Sequence, residues 1–475
     1  MALSNNPPIL SFPKTEIPGW LFFFIFVTLA SVRAKAASAD SDADDALSDF
    51  TNDLFTDLGP LLALFGEQMT KQYISESTTF YDYFIFGMGP IGIITTIVST
   101  IRLCGPTSLR AFIGRSQEGN SAVEAELCTS TSRDVCEVFN NGGITRVLGR
   151  PKILELIRTP KNYTPMKEDV DSIDRKVGLY SFRHFLQQSE AEETTEWRLE
   201  RREQLGPASQ NPPNLSLNVG ITPHRPWVFN LVALVGFALQ AGVLVVAGVG
   251  VRTLGLDLNK SNLASTTYAP NMFIIGTILM CGGMGACITI IGQATTEVRC
   301  RRTPSVTGSP RTSIIWLQPR QVIADQSLDP YVFIEDDGKR LSSWTSSTKS
   351  WDLVTGSEFK FKLATCVAVA AVLVGYILQF IGLRGMRAWV SIAQLITTVV
   401  MSILRGVLRM QRLKKDDNEL FKKAEIVPGH ELDWLAIELC RRDSLTETTQ
   451  LKTPRSTLQV SFMMHRHCNV DGGGY

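Results

Sequence analysis

Hydrophobic and polar residues follow one another in long blocks along this chain, and five of the apolar blocks are long enough to cross a bilayer. An α-helix rises about 1.5 Å per residue, so about 20 residues are needed to cross roughly 30 Å of hydrocarbon. The five blocks contain no Asp, Glu, Lys, Arg or His, and they cover residues 83–101, 226–251, 270–296, 363–383 and 388–404. The pattern predicts a mainly α-helical membrane protein with a five-helix transmembrane bundle.

A shorter apolar block lies near the start of the chain. Residues 20–30 are too few to span a bilayer, and the small-residue triplets Ala34-Lys35-Ala36 and Ala37-Ser38-Ala39 follow them. This arrangement is typical of a secretory signal peptide, which we predict over residues 1–39 with cleavage behind the small residues. The alternative is an uncleaved anchor that begins at Trp20.

Residues 40–82 form an acidic segment with ten carboxylates and one base, Lys71. Apolar residues recur there at steps of three and four, which predicts an amphipathic helix; they are Phe55, Leu58, Leu62, Phe65, Met69 and Tyr73. Because a surface-lying membrane helix normally carries Lys or Arg on its polar face, we expect this acidic helix to pack on the bundle instead.

Basic residues follow the first, third and fifth apolar blocks. Lys and Arg accumulate on the cytoplasmic side of membrane proteins, so these three block ends are predicted to be cytoplasmic. The prediction places residues 40–82 and the loop 252–269 outside and the tail 405–475 inside, in a membrane of the secretory pathway or the plasma membrane. One feature disagrees, since Arg384 and Arg387 lie in the predicted outer turn between the last two blocks.

Two long segments between the blocks, residues 102–225 and 297–362, are predicted to be cytoplasmic. In the first we expect a helix at 122–127, a β-hairpin over 135–148, a helix at 151–157 and a charged linker at 190–214. In the second, 313–317 and 331–334 have strand composition. Because a lone hairpin is marginally stable in water, we expect these strands to complete one sheet with the hairpin in a small α+β module. Two separate modules are the alternative.

Composition adds mainly exclusions. The 475 residues carry 47 Lys and Arg against 46 Asp and Glu, which gives no sign of nucleic-acid binding. No P-loop, Gly-x-Ser-x-Gly, His-Glu-x-x-His or Cys-x-x-Cys motif occurs, so we predict no catalytic residue, cofactor or metal site. His465, His467 and Cys468 form an incomplete set of metal ligands in the polar tail.

Neutral polar residues are the only hydrophilic groups inside the five blocks. We expect the amides to join helices through hydrogen bonds; they are Asn230, Gln240, Gln293, Gln379 and Gln394. Since transporters usually carry ionisable residues within their spans, the sequence favours a non-enzymatic scaffold or receptor-like protein that displays a cytoplasmic domain to protein partners. The alternative is a channel or transporter with a path lined by these neutral polar residues.

The basic stretch after the fifth block is the remaining candidate site. Five bases lie within eleven residues at the predicted cytoplasmic surface: Arg405, Arg409, Arg412, Lys414 and Lys415. Each base near an anionic leaflet contributes on the order of 1 kcal/mol, so this stretch is predicted to bind acidic lipids. The alternative is that these bases only fix the orientation of the last span.

Several motifs together resemble uncharacterised fungal multi-pass membrane proteins, many of which carry ankyrin repeats after the membrane part. The matching text is FTNDLFTDLGPLLALFGEQ at 50–68, the stretch 83–115, DVCEV at 134–138, IWLQ at 315–318, QFIGLRG at 379–385 and GHELDWLA at 429–436. The resemblance implies no catalytic residue, cofactor or substrate. The ankyrin-like Thr-Pro-Leu-His repeat is absent from this chain, so a repeat-based partner surface is not implied.

Overall fold

The computed structural model describes most of the chain between residues 63 and 450. The described residues are 63–64, 66–128, 130–132, 134–140, 143–159, 178–192, 196–200, 212–220, 224–250, 268–303, 312–323, 325–335, 341–349, 358–386, 388–410, 427 and 429–450. The predicted signal peptide, the amphipathic helix up to Leu62, the loop 252–267, the linker 201–211 and the tail beyond 450 lie outside them.

Helices alternate with short strands along these residues. The helices are α1 (Glu67–Glu76), α2 (Phe80–Met88), α3 (Ile93–Cys104), α4 (Thr107–Phe112), α5 (Asn120–Leu127), α6 (Phe182–Glu192), α7 (Pro226–Val245, continued by a π-helical turn Val246–Gly250), α8 (Ala269–Gln293), α9 (Glu358–Arg384), α10 (Ala388–Leu408) and α11 (Glu431–Gln450), with a second π-helical turn at Ser216–Gly220. The strands are β1 (Val135–Asn140), β2 (Gly143–Leu148), β3 (Leu154–Thr159), β4 (Gly178–Ser181), β5 (Trp197–Leu199), β6 (Thr295–Arg302), β7 (Ser313–Gln318), β8 (Gln321–Ile323), β9 (Gln326–Leu328), β10 (Tyr331–Ile334) and β11 (Ser343–Lys349).

Four helices in the described part of the chain are long and apolar enough to cross a membrane, which is compatible with a multi-pass integral membrane protein. They are α7, α8, α9 and α10, with candidate spans at Pro226–Val249, Ala269–Gln293, Phe359–Arg384 and Val390–Leu408. Four of the five predicted spans are therefore present as long apolar helices.

The predicted first span, residues 83–101, is wrong as a single helix. The structure divides it into α2, of nine residues, and α3, of twelve residues, around Gly89-Pro90-Ile91-Gly92. Proline disfavours helical backbone in the residue before it and provides no N–H, and Gly92 adopts a left-handed conformation with φ 72°. At 1.5 Å per residue, neither helix alone reaches across roughly 30 Å of hydrocarbon. We call α2 and α3 the re-entrant pair.

The start of α2 and the end of α3 lie at the same end of the group of long apolar helices α7–α10, which we call the helical layer. Asp82, at the start of α2, accepts a hydrogen bond from Arg409 at the end of α10 (2.8 Å). Cys104, at the end of α3, accepts one from Thr365 in the early turns of α9 (3.5 Å). Because successive spans alternate in direction, the end of α10 and the start of α9 are on one side. The pair thus enters the layer and returns.

The acidic segment before the pair is on that same side. Lys71 of α1 forms an ion pair with Glu126 of α5, and α5 leads into β1. The predicted arrangement, with residues 40–82 across the membrane from residues 102–225, is contradicted for residues 67–82 by these contacts. Its physical cause is the break in the first apolar block, which removes one crossing.

Close backbone contact joins α8 to α9 in the middle of the layer. Gly276 and Gly283 on α8 and Gly375 and Gly382 on α9 lie at this contact, and a Cβ at any of the four would overlap the backbone of the other helix. Small residues allow helices to approach closely where lipid offers no hydrophobic drive for association. Gly282, by contrast, has open space where a Cβ would lie.

The strands form a module built from both inter-span segments. The sheets have the orders β10-β7-β3-β4 and β11-β6-β5, with separate β1-β2 and β8-β9 hairpins. Buried polar contacts also join the segments: Trp344 donates to Glu155 (2.9 Å), and Arg302 pairs with Glu196 (2.9 Å). We call this assembly the strand module.

The predicted hairpin is confirmed, with Val135 opposite Leu148, and the predicted strands at 313–317 and 331–334 are confirmed as β7 and β10. The predicted helix at 151–157 is wrong, because its second half is β3. Its alternating burial matches a strand, and it pairs with β7. That pairing, and not one with the β1-β2 hairpin, joins the two segments in one sheet.

The last helix, α11, covers one face of that sheet. Leu435 and Leu439 pack against Ile315, Leu317 and Val332. Glu431, at its first residue, accepts hydrogen bonds from the backbone N–H groups of Gly429 and Arg320, both at 3.1 Å. This part of the predicted tail is thus a component of the strand module.

The connection between membrane helix and sheet is as short as it can be at β6. Ala294, which is fully buried, is the one residue between the end of α8 and the start of β6. Strand β6 is the central strand of its sheet.

Candidate functional site

One face of α10 is polar along its whole length. Its members recur at steps of three and four residues and are Ser391, Gln394, Thr398, Ser402, Arg405 and Arg409. The first five are buried and Arg409 is half-buried, whereas Ile396, Ile403 and Val407 on the other face are exposed. Helix α10 therefore turns its polar face toward the protein and its apolar face outward. We call these six residues the polar stripe.

Arg405 is buried at the broken end of α2. Only 3% of this residue is exposed, and its Nη2 donates to the carbonyl oxygens of Ile85 (3.3 Å), Phe86 and Gly89. The last carbonyl groups of a helix have no partner within the helix and carry its partial negative charge. The Arg405 guanidinium satisfies three carbonyl groups at this end of the re-entrant pair.

No described carboxylate lies within ion-pair distance of Arg405. Its guanidinium carbon lies 4.7 Å from the ring centre of Phe86 and 5.7 Å from that of Tyr73. Its Nε is buried and has no hydrogen-bond partner among the described residues. The positive charge of Arg405 is therefore balanced only by carbonyl dipoles and aromatic faces in this part of the protein.

Arg409, one turn further along α10, binds the opposite end of α2. It donates to Asp82 Oδ1 (2.8 Å), and its Nε lies 3.9 Å from Glu76 Oε2. Asp82 also accepts from the N–H and hydroxyl groups of Thr79 in a capping box (3.1 and 2.8 Å). Two arginines of α10 thus bind the start and the end of α2.

Tyr73 of α1 closes the site from the side. Its hydroxyl donates to the backbone oxygen of Asp82 (3.2 Å), and its ring lies 4.8 Å from the Arg409 guanidinium. Burial raises the pKa of Tyr73, so the phenol stays a neutral donor. The aromatic ring contributes a cation–π contact to both arginines.

A cavity of about 180 Å³ lies between α1, the break and the end of α10. Thr70, Tyr73, Arg405 and Arg409 give it polar walls, and Met69, Ile91 and Met410 give it apolar ones. Thr70 Oγ1 donates to the carbonyl oxygen of Ile91 within the break (3.4 Å). The unwound backbone therefore forms part of the cavity wall.

The structure places the predicted lipid-binding bases in two groups. Arg405 and Arg409 are inside the protein, so a lipid-surface role does not fit their positions; the cause is that α10 continues to Leu408 with its polar face inward. Arg412, Lys414 and Lys415 lie outside the described residues, and their binding to acidic lipids stays a prediction. The predicted fifth block ends at residue 404, whereas the candidate span Val390–Leu408 extends further and includes Arg405.

The predicted intramembrane amides also divide into two groups. Gln240 of α7 donates to Gln394 of the polar stripe (3.4 Å), and Gln379 of α9 donates to Thr277 of α8 (3.0 Å). Asn230 and Gln293 are exposed, the latter at the end of α8. The amides of Gln240, Gln394 and Gln379 thus make hydrogen bonds between helices.

A cluster of charges fixes the end of the re-entrant pair on the strand-module side. Arg102 of α3 donates to Glu118 (2.8 Å from Nε) and to Glu126 (2.6 Å), and Glu126 also pairs with Lys71. The hydrogen bond from Arg102 is the main cause that lowers the pKa of Glu126 to about 2. This cluster ties α1, α3 and α5 together.

The spacing of the polar stripe is visible in the sequence, but it continues past residue 404, where the predicted fifth span ends at the first charged residue. Within the described residues, no group of three His, Cys, Asp or Glu is placed to hold a metal ion. His465, His467 and Cys468 lie outside them.

Comparison of the chain with protein-family models, with curated proteins and with solved structures finds no match.

Proposed function

We propose that this protein is a membrane channel or transporter whose path follows the polar stripe of α10 to the broken end of α2. The observation that carries the proposal is Arg405, buried within the helical layer against the open carbonyl end of a broken helix. Ionisable residues inside a membrane are costly and mark ion or substrate pathways in many proteins. Unwound backbone at membrane depth is tolerated where it is buried in protein or lines a cavity.

The polar stripe supports the same function. A helix that only anchors a domain needs no hydroxyl, amide or guanidinium groups along one face. Here Gln394 faces Gln240, and both amides retain a buried polar atom without a partner among the described residues: Gln240 Oε1 and Gln394 Nε2. Unsatisfied buried groups lower stability by about 1–3 kcal/mol each, so a role beyond packing is a reason to keep them.

A scaffold or receptor-like function is the second candidate. It is favoured by the strand module, which combines both inter-span segments with α11 in one packed unit. Such a unit can present a surface to protein partners without any transport. The resemblance to fungal multi-pass proteins fits both candidates equally and stays a proposal as well.

Flux measurements in reconstituted vesicles separate the two. The full-length protein is placed in sealed vesicles, and the flux of potassium, chloride and a short carboxylate is followed against protein-free vesicles. The double variant Gln240→Leu/Gln394→Leu removes both amides together, so neither is left facing a missing partner. The matched control is Gln293→Leu, the same substitution at an exposed position.

We expect flux of at least one solute above the protein-free level, a loss of tenfold or more in the double variant, and an unchanged rate in Gln293→Leu. Equal flux in wild-type and protein-free vesicles for all three solutes would reject transport and leave the scaffold. Equal flux in the double variant and the control would reject the path along α10.

A further inference from the structure

We infer that the cavity at the broken end of α2 binds a short-chain monocarboxylate, with the carboxylate on Arg405 and its short carbon chain against Met69, Ile91 and Met410. This inference rests on the proposed function, because it names the class of solute that the path would recognise. Charge is unevenly balanced around the two neighbouring arginines of the cavity.

The acidic groups of the site are already engaged. Asp82 accepts from Arg409, from the Thr79 hydroxyl and from the backbone N–H groups of Thr78 and Thr79. Glu76 also faces Arg409, at 3.9 Å. Both described carboxylates near the cavity therefore point to Arg409. A cation would find no available acid here, whereas Arg405 has a charge that no described carboxylate balances.

Arg405 also retains donor capacity. Only its Nη2 donates to described residues, and Nε is buried without a partner among them. A guanidinium has five N–H groups, so Nε and Nη1 retain N–H groups that can donate to a carboxylate.

The volume of the cavity and its apolar walls favour a short-chain carboxylate over other small anions. A volume of about 180 Å³ corresponds to about six water molecules at roughly 30 Å³ each. This is the size of a carboxylate with two to four carbon atoms. Phosphate has a similar volume, but all its faces are polar, and it would leave the methionine and isoleucine walls unmatched. Exposed Gln72 and Met410 mark the opening of the cavity.

The first measurement is thermal unfolding of the purified full-length protein, followed by tryptophan fluorescence, in increasing propionate. Gluconate, which is too large for the cavity, keeps the ionic strength constant, and phosphate and chloride are titrated in the same way. A ligand that binds only the folded protein raises Tm by mass action. We expect a saturating rise of about 2 °C or more with propionate and smaller effects of phosphate and chloride.

Two glycine variants test the place of binding. Gly406 lines the cavity, and a Cβ there meets no atom within 4 Å, so Gly406→Val adds bulk to the cavity wall from a Cβ that has open space. Gly282→Val is the matched control, since Gly282 also has open space around it but lies on the exposed face of α8. The propionate effect is expected to disappear in Gly406→Val and to persist in Gly282→Val.

Arg405→Gln is less informative alone, because it also removes the donors to three carbonyl groups and can unfold the re-entrant pair. Arg405→Lys keeps the charge and is expected to weaken propionate binding about tenfold or more through loss of the planar guanidinium donors. No rise in Tm with any anion, or an equal rise in Gly406→Val, would overturn the site. A larger rise with phosphate or chloride would overturn the carboxylate assignment.

The propionate site and the transport function can be rejected independently of each other. A propionate-dependent Tm shift without flux rejects transport and keeps the site, whereas flux without any Tm shift rejects the site and keeps transport.

Discussion

At the scale of single residues, charges in this protein act in small groups that connect distant parts of the chain. Arg102 lies between Glu118 and Glu126, and Glu126 in turn pairs with Lys71 of α1. The Arg102 hydrogen bond lowers the pKa of Glu118 as well as that of Glu126. Because these pairs join α1 to α5, their protonation state bears on how firmly α1 is attached.

We predict that Glu126 makes stability depend on acid. Its pKa lies at about 2 in the folded protein against 4.5 for the free group, so its contribution is fully present above about pH 5. That contribution is lost as the pH falls toward 2. Thermal unfolding between pH 6 and pH 3 should show a smaller drop in Tm for Glu126→Gln than for wild type.

The control for this prediction is Glu67→Gln, which removes the exposed partner of Lys71 at 2.7 Å and leaves Arg102 untouched. Its pH profile is expected to follow that of wild type. If both variants flatten the profile equally, the Arg102 hydrogen bond is not the cause.

Arg405 shows why the environment of a side chain is harder to predict from sequence than the helix on which the residue lies. In sequence it is the first base after an apolar block, which is the usual signal of a membrane boundary. Its actual environment depends on carbonyl groups of residues 85–89, more than 300 positions earlier in the chain. Neither periodicity nor composition contains that information. The amides of Gln240, Gln379 and Gln394, by contrast, lie within hydrogen-bond distance of polar groups on a neighbouring helix.

At the scale of elements, the break between α2 and α3 determines the shape of the N-terminal part. Gly92 begins α3 in a left-handed conformation, and Thr70 of α1 fills the space where a Cβ would lie. The same residue reaches Ile91 through its hydroxyl. Helix α1 therefore packs directly onto the break and buries its unwound backbone.

We predict that Gly92→Ala destabilises the protein more than Gly114→Ala. Both glycines have φ near +70° (72° and 73°), so both substitutions carry the left-handed penalty of about 1–2 kcal/mol. Only at Gly92 does the added Cβ overlap a neighbour, which adds a further cost of about 1–3 kcal/mol. Thermal unfolding of the two variants measures the difference directly.

An equal loss of Tm in the two variants would show that α1 does not approach the break closely. Gly114 is a suitable control because a Cβ there meets nothing within 4 Å.

Element type was predictable where a local pattern was strong. The four long apolar helices, the β1-β2 hairpin and strands β7 and β10 all follow from periodicity, length or turn residues. The predictions are wrong where a residue is compatible with two structures. Pro151 is compatible with the start of a helix, but the chain after it forms β3 and pairs with β7. Pro90 lies in an apolar block, which favours a span, but proline disfavours helical backbone in the residue before it, and α2 ends there.

At the scale of the whole molecule, the structure places residues 67–82 on the side of the strand module. Two long-range ion pairs establish this, Lys71 with Glu126 and Arg409 with Asp82. With four spans and a re-entrant pair, the segment before α2 and the segment after α10 share one side. The sequence could not show this, because a re-entrant pair and a span have the same hydropathy.

We predict that single cysteines at Gln72 and Leu148 react with a membrane-impermeant maleimide from the same side of sealed vesicles. Both positions are exposed, and the second belongs to the strand module. A cysteine at Tyr268, which is 45% exposed at the opposite end of α8, should react from the other side. The nine native cysteines are replaced first. Labelling of Gln72→Cys together with Tyr268→Cys would restore a fifth crossing.

The junction at Ala294 has a mechanical meaning. Only one residue lies between α8 and β6, so no flexible linker can absorb a rotation of the helix. We therefore expect α8 and the central strand β6 to move together. At about 1.5 Å per residue, the 25 residues of α8 exceed a hydrocarbon thickness of roughly 30 Å, and such a helix tilts to fit the bilayer. The angle at which the sheet β11-β6-β5 faces the membrane plane is therefore set by the tilt of α8.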